Sequence, residues 1–194
     1  MSGNNNSRRN TIKSRPHKHI RITVVGDGTT GKTCLLICYK DKKFEPYYIP
    51  TVFDSYSMTV PIGDHEYTIV LCDTAGQEEY DRLRPLAYTE TDVFVVCFAV
   101  DNLASLKNVE NKWLPEIRHH KPQAKIILTC TKIDLRTDDN IQTADGFAVC
   151  KRNKLDDYVE CSSKLMRNVN QVFAIAISSY LSPYYAKKQK CLIL

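Results

Sequence analysis

The sequence predicts an α/β fold: a six-stranded, mostly parallel sheet with helices on both faces. Three observations carry this. The segments DVFVVCFAV (92–100) and KIILTCTK (125–132) are almost unbroken apolar runs, as strands buried on both faces must be. Such runs alternate along the chain with segments of helical period, the pattern of strands joined by crossover helices. The 194 residues include 43% hydrophobic and 25% charged side chains, enough for one domain with a substantial core.

Each element has its own signal. IRITVVG (20–26) is a short β-branched run closed by glycine, and KTCLLICYK (32–40) reads as the first helix. SYSMTVPIGDHEYTIVLCD (55–73) reads as two strands around a Gly63-Asp64 turn. After the strand at 92–100, Leu103, Leu106, Trp113, Leu114 and Ile117 fall on one side of a helix from Leu103 to His119. A helix follows near Thr143–Lys151, then a short strand at DYVEC (157–161). Leu165, Val169, Val172, Phe173, Ala176, Ile177, Tyr180 and Leu181 form a last helix face, expected to stop before Pro183 because the residue preceding proline disfavours the helical region.

Charge is unevenly placed. Residues 1–19 hold Arg8, Arg9, Lys13, Arg15 and Lys18, and the last eight residues hold Lys187, Lys188 and Lys190, with no acid in either end. With eight of the 27 Lys/Arg at the ends and all 22 Asp/Glu between them, the middle of the chain is about −3 despite the overall +5. A nucleic-acid-binding fold concentrates basic charge on its folded body, so no nucleic-acid partner is expected. Basic ends suit an acidic surface such as a membrane. The longest apolar run, Val93 to Val100, is too short to span a bilayer, and the N-terminal residues lack the apolar stretch of a secretory signal. The eight cysteines contain no CxxC pair, so Cys72, Cys97 and Cys130 read as small buried hydrophobes of a reducing compartment.

The chemistry lies in three strings at strand ends, where open α/β sheets bind ligands. GDGTTGKT (26–33) joins the first strand to the first helix and matches G-x-x-x-x-G-K-[ST]. Gly26, Asp27, Gly28, Thr29, Thr30 and Gly31 would curl backbone N–H groups around phosphates at a helix N-terminus. Lys32 would reach the β- and γ-phosphates and Thr33 would ligate Mg²⁺. The fold is therefore expected to be that of a P-loop NTPase. Cys34, next in line, is a packed small side chain or a thiolate favoured by the helix terminus.

DTAGQ (73–77) follows the third strand. Asp73 stands where P-loop enzymes place a second Mg²⁺ contact, expected to be made through water. Gly76 lets the backbone approach the γ-phosphate, and Gln77 is placed to orient an attacking water. TKID (131–134) ends the fifth strand. The Asp134 carboxylate needs two donors, which guanine N1–H and N2–H₂ supply and adenine does not. The Lys132 stem can cover one face of the base.

Together these strings resemble the Ras superfamily of small GTPases, from about Arg21 to the last residue. YIPTVFD (48–54), GQEEYDRLRPLAY (76–88), KWLPEIRHHKP (112–122) and TKID are similar to the Rho/Rac family. The resemblance implies a small G domain over 20–182 that binds GTP/GDP with Mg²⁺ and hydrolyses GTP slowly on its own, as a monomeric switch. It gives Lys32, Thr51 and Gln77 catalytic roles, with Thr51 completing the Mg²⁺ shell beside Thr33 and Asp73. Tyr48 would fold over the phosphates and Phe44 would pack on the guanine. CSSK (161–164) matches the last guanine loop, bringing Ser162, Ser163 and Lys164 to the nucleotide with Thr131, and Ser163 replaces the usual alanine.

Implied partners are an exchange factor, a GTPase-activating protein, a dissociation inhibitor and GTP-dependent effectors (formins or kinases) of the actin cytoskeleton. Phe53, Tyr56, Tyr80, Leu83 and Leu86 are candidate contacts, although Tyr80, Leu83 and Leu86 fit ordinary helix packing equally well. No arginine lies between Ile22 and Asp81, so an arginine finger has to come from a partner. Only 25 residues separate Asp134 from Glu160, room for one helix and its loops, whereas Rho proteins usually carry an additional helical insert.

Residues 1–19 are expected to be a disordered basic extension. Residues 183–194 read as a polybasic tail whose CLIL fits C-a-a-X, with the final leucine favouring geranylgeranyl on Cys191. A prenyl chain with three lysines gives two membrane signals. The expected location is the cytoplasmic face of the plasma membrane or other membranes, with a cytosolic pool.

Overall fold

The structure, a computed structural model, describes residues 19–45, 53–63 and 65–190, apart from the side chains of Phe53, Glu78 and residues 183–190. Six strands form one sheet in the order β2-β3-β1-β4-β5-β6: β1 (His19–Gly26), β2 (Phe53–Ile62), β3 (His65–Thr74), β4 (Val93–Ala99), β5 (Lys125–Thr131) and β6 (Asp157–Glu160). Every neighbouring pair is parallel except β2 and β3, an antiparallel hairpin turning at Gly63. The six-stranded, mostly parallel sheet expected from the sequence is therefore present. Because β1, β3, β4, β5 and β6 run the same way, their carboxyl ends line one edge of the sheet.

The helices are α1 (Lys32–Asp41), α2 (Arg84–Tyr88), α3 (Leu103–Asn108), α4 (Leu114–His120), α5 (Thr143–Arg152) and α6 (Val169–Lys190). A π-helical turn, Val109–Trp113, joins α3 to α4, so the one helix read from periodicity contains a widened turn. One apolar cluster packs α1 and α6 on the sheet through Leu35, Leu36, Val172, Phe173 and Ala176. The other packs α3, the π turn, α4 and α5 on the opposite face through Phe94, Val96, Phe98, Trp113 and Ile117. Cys72, Cys97 and Cys130 form no disulfide and are buried, as small hydrophobes, Cys97 in the first cluster and Cys130 in the second.

Three boundary expectations need correction. Leu103 is 57% exposed and stands apart from the buried face of its helix, because it occupies the first turn after the N-cap Asn102, beyond the sheet. Leu165 is exposed too and precedes α6. And α6 does not stop before Pro183; it continues to Lys190. Proline has no N–H for the carbonyl four residues back, which is that of Ser179. The Ser182 hydroxyl donates to that carbonyl instead, at 3.2 Å.

Between Leu135 and Thr143 the described residues form only turns. Arg136 closes this segment by donating from Nε to the Ile141 carbonyl, and Ile141 N–H donates to Val100 O. The single α-helix between Asp134 and Glu160 is α5, in line with the short spacing. Among the described residues no helix is long and apolar enough to cross a membrane.

Candidate functional site

The candidate residues collect along the sheet edge formed by the carboxyl ends of β1, β3, β5 and β6. Residues 26–31 turn from β1 into α1 through left-handed backbone at Gly26 (φ 141°), Thr29 (φ 62°) and Gly31 (φ 87°). Gly26 cannot carry a side chain: a Cβ there would stand 2.2 Å from the Cys97 carbonyl oxygen of β4. Thr30 Oγ1 donates to Asp27 O, tightening the loop. Lys32 is buried, and its ammonium donates to the carbonyls of Gly26 and Asp27, each at 2.8 Å. Burial holds its pKa below the usual lysine value, partly countered by Cys97, Asp73 and Asp27. A buried cation at a helix N-terminus is suited to an anionic ligand.

Asp73 lies fully buried near the end of β3. Thr33 stands in the first turn of α1. A carboxylate and a hydroxyl are the hard oxygen donors that Mg²⁺ takes alongside substrate phosphates. Among the described residues no group of three or more His, Cys, Asp or Glu side chains gathers into a metal cage. The residues present thus fit a phosphate-bound Mg²⁺ held by few protein ligands.

The loop after β3 presses on the loop after β1. A Cβ on Gly76 would lie 2.3 Å from Gly26 O and 2.5 Å from both Asp27 C and Gly28 N. A Cβ on Gly28 would lie 3.9 Å from Gln77 Cγ. Gln77 therefore stands beside the phosphate loop, with its side chain exposed. Cys34 is half-buried, and burial pushes its thiol up rather than towards thiolate, which favours the packing role.

The other half of the site joins β5 to β6. Thr131 Oγ1 sits 2.5 Å from Thr30 O and 3.0 Å from Phe98 O, so this hydroxyl braces the phosphate loop. Lys132 adopts left-handed backbone (φ 56°), which turns the chain so that Asp134 meets the 161–164 loop. Ser162 Oγ donates to Asp134 Oδ1 at 2.5 Å and accepts from Leu165 N–H. The Ser163 carbonyl accepts from the Cys38 thiol, and Lys164 is exposed. Phe44 is partly buried against the apolar cluster of α1 and α6. Tyr48, Thr51 and Cys191 lie outside the described residues.

Two sets of residues escaped the motif search. Arg136 forms a two-pronged pair with Glu160, at 2.8 and 2.7 Å, and Tyr158 and Thr143 hydroxyls donate to the same carboxylate. Burial alone would raise the Glu160 carboxyl, but hydrogen bonds from Arg136 and Tyr158 hold it below the usual range. The available signal was position: Arg136 lies two residues after Asp134, and Glu160 directly precedes CSSK. The second set is Arg84, Asn108 and Trp113 around Asp27 and Gln77. An acidic side chain inside a phosphate loop was its only trace in the sequence.

A buried lysine under a glycine-lined helix N-terminus, an Asp at the next strand end and a paired base loop define a nucleotide-binding P-loop NTPase fold. Comparison with protein-family models sharpens this: residues 21–182 match the Ras family. The chain belongs to the Ras family, its fold is the Ras-like G domain, and it is a small GTP-binding switch of the GTPase class. Ras-family proteins bind GTP and GDP, typically with Mg²⁺, and work with exchange factors, activating proteins and effectors.

Proposed function

We propose that this chain is a Rho-type GTP-hydrolysing switch that recruits effectors of the actin cytoskeleton at a membrane. The observation that carries the hydrolytic part is the close approach of Gly76 and Gln77 to the backbone of Gly26–Gly28. It puts the glutamine where a water could be aligned on the terminal phosphate. Lys32 and the backbone N–H groups of residues 28–33 hold the phosphates and stabilise the charge that develops during transfer. Mg²⁺ bound with the nucleotide would neutralise β- and γ-oxygens, held by Thr33, Thr51 and, through water, Asp73. Gln77 orients the attacking water. Asp134 reads the guanine N–H groups, the 162–164 loop offers a backbone N–H to the guanine oxygen, and Lys132 and Phe44 cover the base.

Arg82 and Arg84 are the first arginines after Ile22; Arg82 is exposed, whereas Arg84 is 4% exposed. Its guanidinium is engaged with Ala75 O, Gln77 O, Asp81 and Glu116. Arg84 is thus committed to holding the loop and does not serve as an arginine finger in cis. Leu83 and Leu86 are 58% and 73% exposed, beside a cavity of about 360 Å³ lined by Tyr80 and Ala87. Exposure favours a partner-contact role for them over helix packing. The Rho-type assignment rests on the strings 48–54, 76–88 and 112–122, with the insert missing. The tail reading adds geranylgeranylation of Cys191, membrane attachment with Lys187, Lys188 and Lys190, and a dissociation inhibitor that maintains a cytosolic pool.

Single-turnover phosphate release from GTP-loaded protein tests the reading. Slow release is expected alone, with acceleration of roughly 10³-fold or more by a Rho-family activating protein. No release over hours with that protein would sink it. Cys191→Ser should keep nucleotide binding and shift the protein from membranes to the cytosol.

A further inference from the structure

The π-helical turn has a geometric consequence. In a regular α-helix, residues five apart point about 140° away from each other. A single π turn widens the spiral so that residues five apart can share a side. Asn108 and Trp113, at the two ends of this turn, do so: Asn108 Nδ2 and Trp113 Nε1 each donate to one oxygen of the Asp27 carboxylate at 2.7 Å. The phosphate loop is thereby pinned to the helix face by both oxygens of one acid.

The face of the same indole carries the second loop. The Arg84 guanidinium lies 4.6 Å from the centre of the Trp113 ring. From there Nε donates to Ala75 O at 3.0 Å and one terminal nitrogen donates to Gln77 O at 3.1 Å. Its other terminal nitrogen is held by both oxygens of Glu116 on α4, whose carboxylate also accepts from Tyr88. Trp113 is fully buried and cannot move without disturbing both contacts.

We infer that Asp27, Trp113 and Arg84 form a mechanical tie that couples the phosphate loop to the Gln77 loop, with Arg84 the positioning residue for Gln77. The inference rests on the GTP-switch reading for its consequence in hydrolysis, while the tie itself belongs to the fold. Coupling of two sites is reciprocal. Loosening Asp27 should therefore free residues 75–83, and removing Arg84 should free residues 26–31.

Amide hydrogen exchange on the full chain reads this directly. Asp27→Ala should speed exchange across 75–83 by roughly five- to tenfold, and Arg84→Ala should do the same across 26–31. Trp113→Phe keeps an aromatic face under Arg84 and deletes the N–H to Asp27. In that background Arg84→Ala should no longer alter exchange at 26–31, the mark of a tie cut in its middle. In single-turnover assays Arg84→Ala should slow hydrolysis about tenfold while GDP affinity stays within about threefold. Arg84→Lys keeps the charge without the fork and should recover only part of that loss.

If each variant loosens its own segment alone, or if hydrolysis by Arg84→Ala is unchanged, the inference is overturned. Asp27→Asn and Arg84→Lys carry the exchange test if the alanine variants do not fold. Wild-type protein that neither binds nor hydrolyses GTP would refute the switch reading, and the exchange data would still decide the tie.

Discussion

The phosphate side and the guanine side of this site are built by different physics. Residues 26–33 and 73–77 meet through backbone approach, with Gly76 lying where a single methyl would collide with Gly26 O. Their supports, Lys32, Asp73, Trp113 and Arg84, are buried. Residues 131–136 and 160–164 meet instead through side-chain pairs nearer the surface: Ser162 with Asp134, and Arg136 with Glu160, whose side chains are partly exposed. Steric contact leaves no graded response to substitution, whereas ion pairs and hydrogen bonds weaken stepwise and respond to pH. The first construction suits a surface that has to sense one phosphate, the second one that has to hold a base in place.

The sharpest way to break the comparison is Gly76→Ala. The added Cβ would force the two phosphate-side loops apart, so activation by GTP should be lost, with GTP-analogue-dependent partner capture falling to the GDP level while GDP remains bound. Loss of GDP binding as well would mean that Gly76 supports the whole loop rather than its GTP-specific contact.

Next in size is Asp134→Asn. Guanine affinity should fall by roughly 10²-fold or more and xanthine nucleotides should bind better, since an amide presents a donor where guanine presents one. Equilibrium competition with labelled GDP measures this, and unchanged guanine affinity would remove Asp134 from base recognition.

Arg136→Ala should act more mildly, raising the GDP off-rate roughly tenfold through looser base loops. A parallel rise after Glu160→Gln would assign the effect to the pair. The same pair gives a pH signature. The folded-state pKa of Glu160 is depressed, so its contribution to stability is fully present above the ordinary value of 4.5 and is lost as pH falls through the lowered folded value. Thermal melting of wild type should fall more steeply than that of Glu160→Gln below about pH 4.5. Identical slopes would show that Glu160 does not contribute to the acid sensitivity.

Local pattern made much of this molecule readable. A run such as DVFVVCFAV can only be a strand buried on both faces, so the strands were legible to within a residue or two. GDGTTGKT, DTAGQ and TKID sit at strand ends, so the parallel sheet brings them to one edge. The end of α6 was misread because proline's missing N–H is a local rule and the Ser182 hydroxyl's compensation is a matter of rotamer. Leu103 was misread because periodicity does not say which turn overhangs the sheet.

What the sequence alone determined is the kind of fold, the family resemblance and the candidate residues for nucleotide chemistry, because short-range spacing dictates phosphate loops and strand ends. What the tertiary structure decided is how these parts are held. Asp27 and Trp113 are 86 residues apart, and Arg84 stands 32 residues before Glu116. Their contacts depend on helix packing over the sheet and on one π turn in a helix whose periodicity looked regular. Residues so far apart in sequence leave no spacing to read, since only burial of the same indole by both loops brings them together.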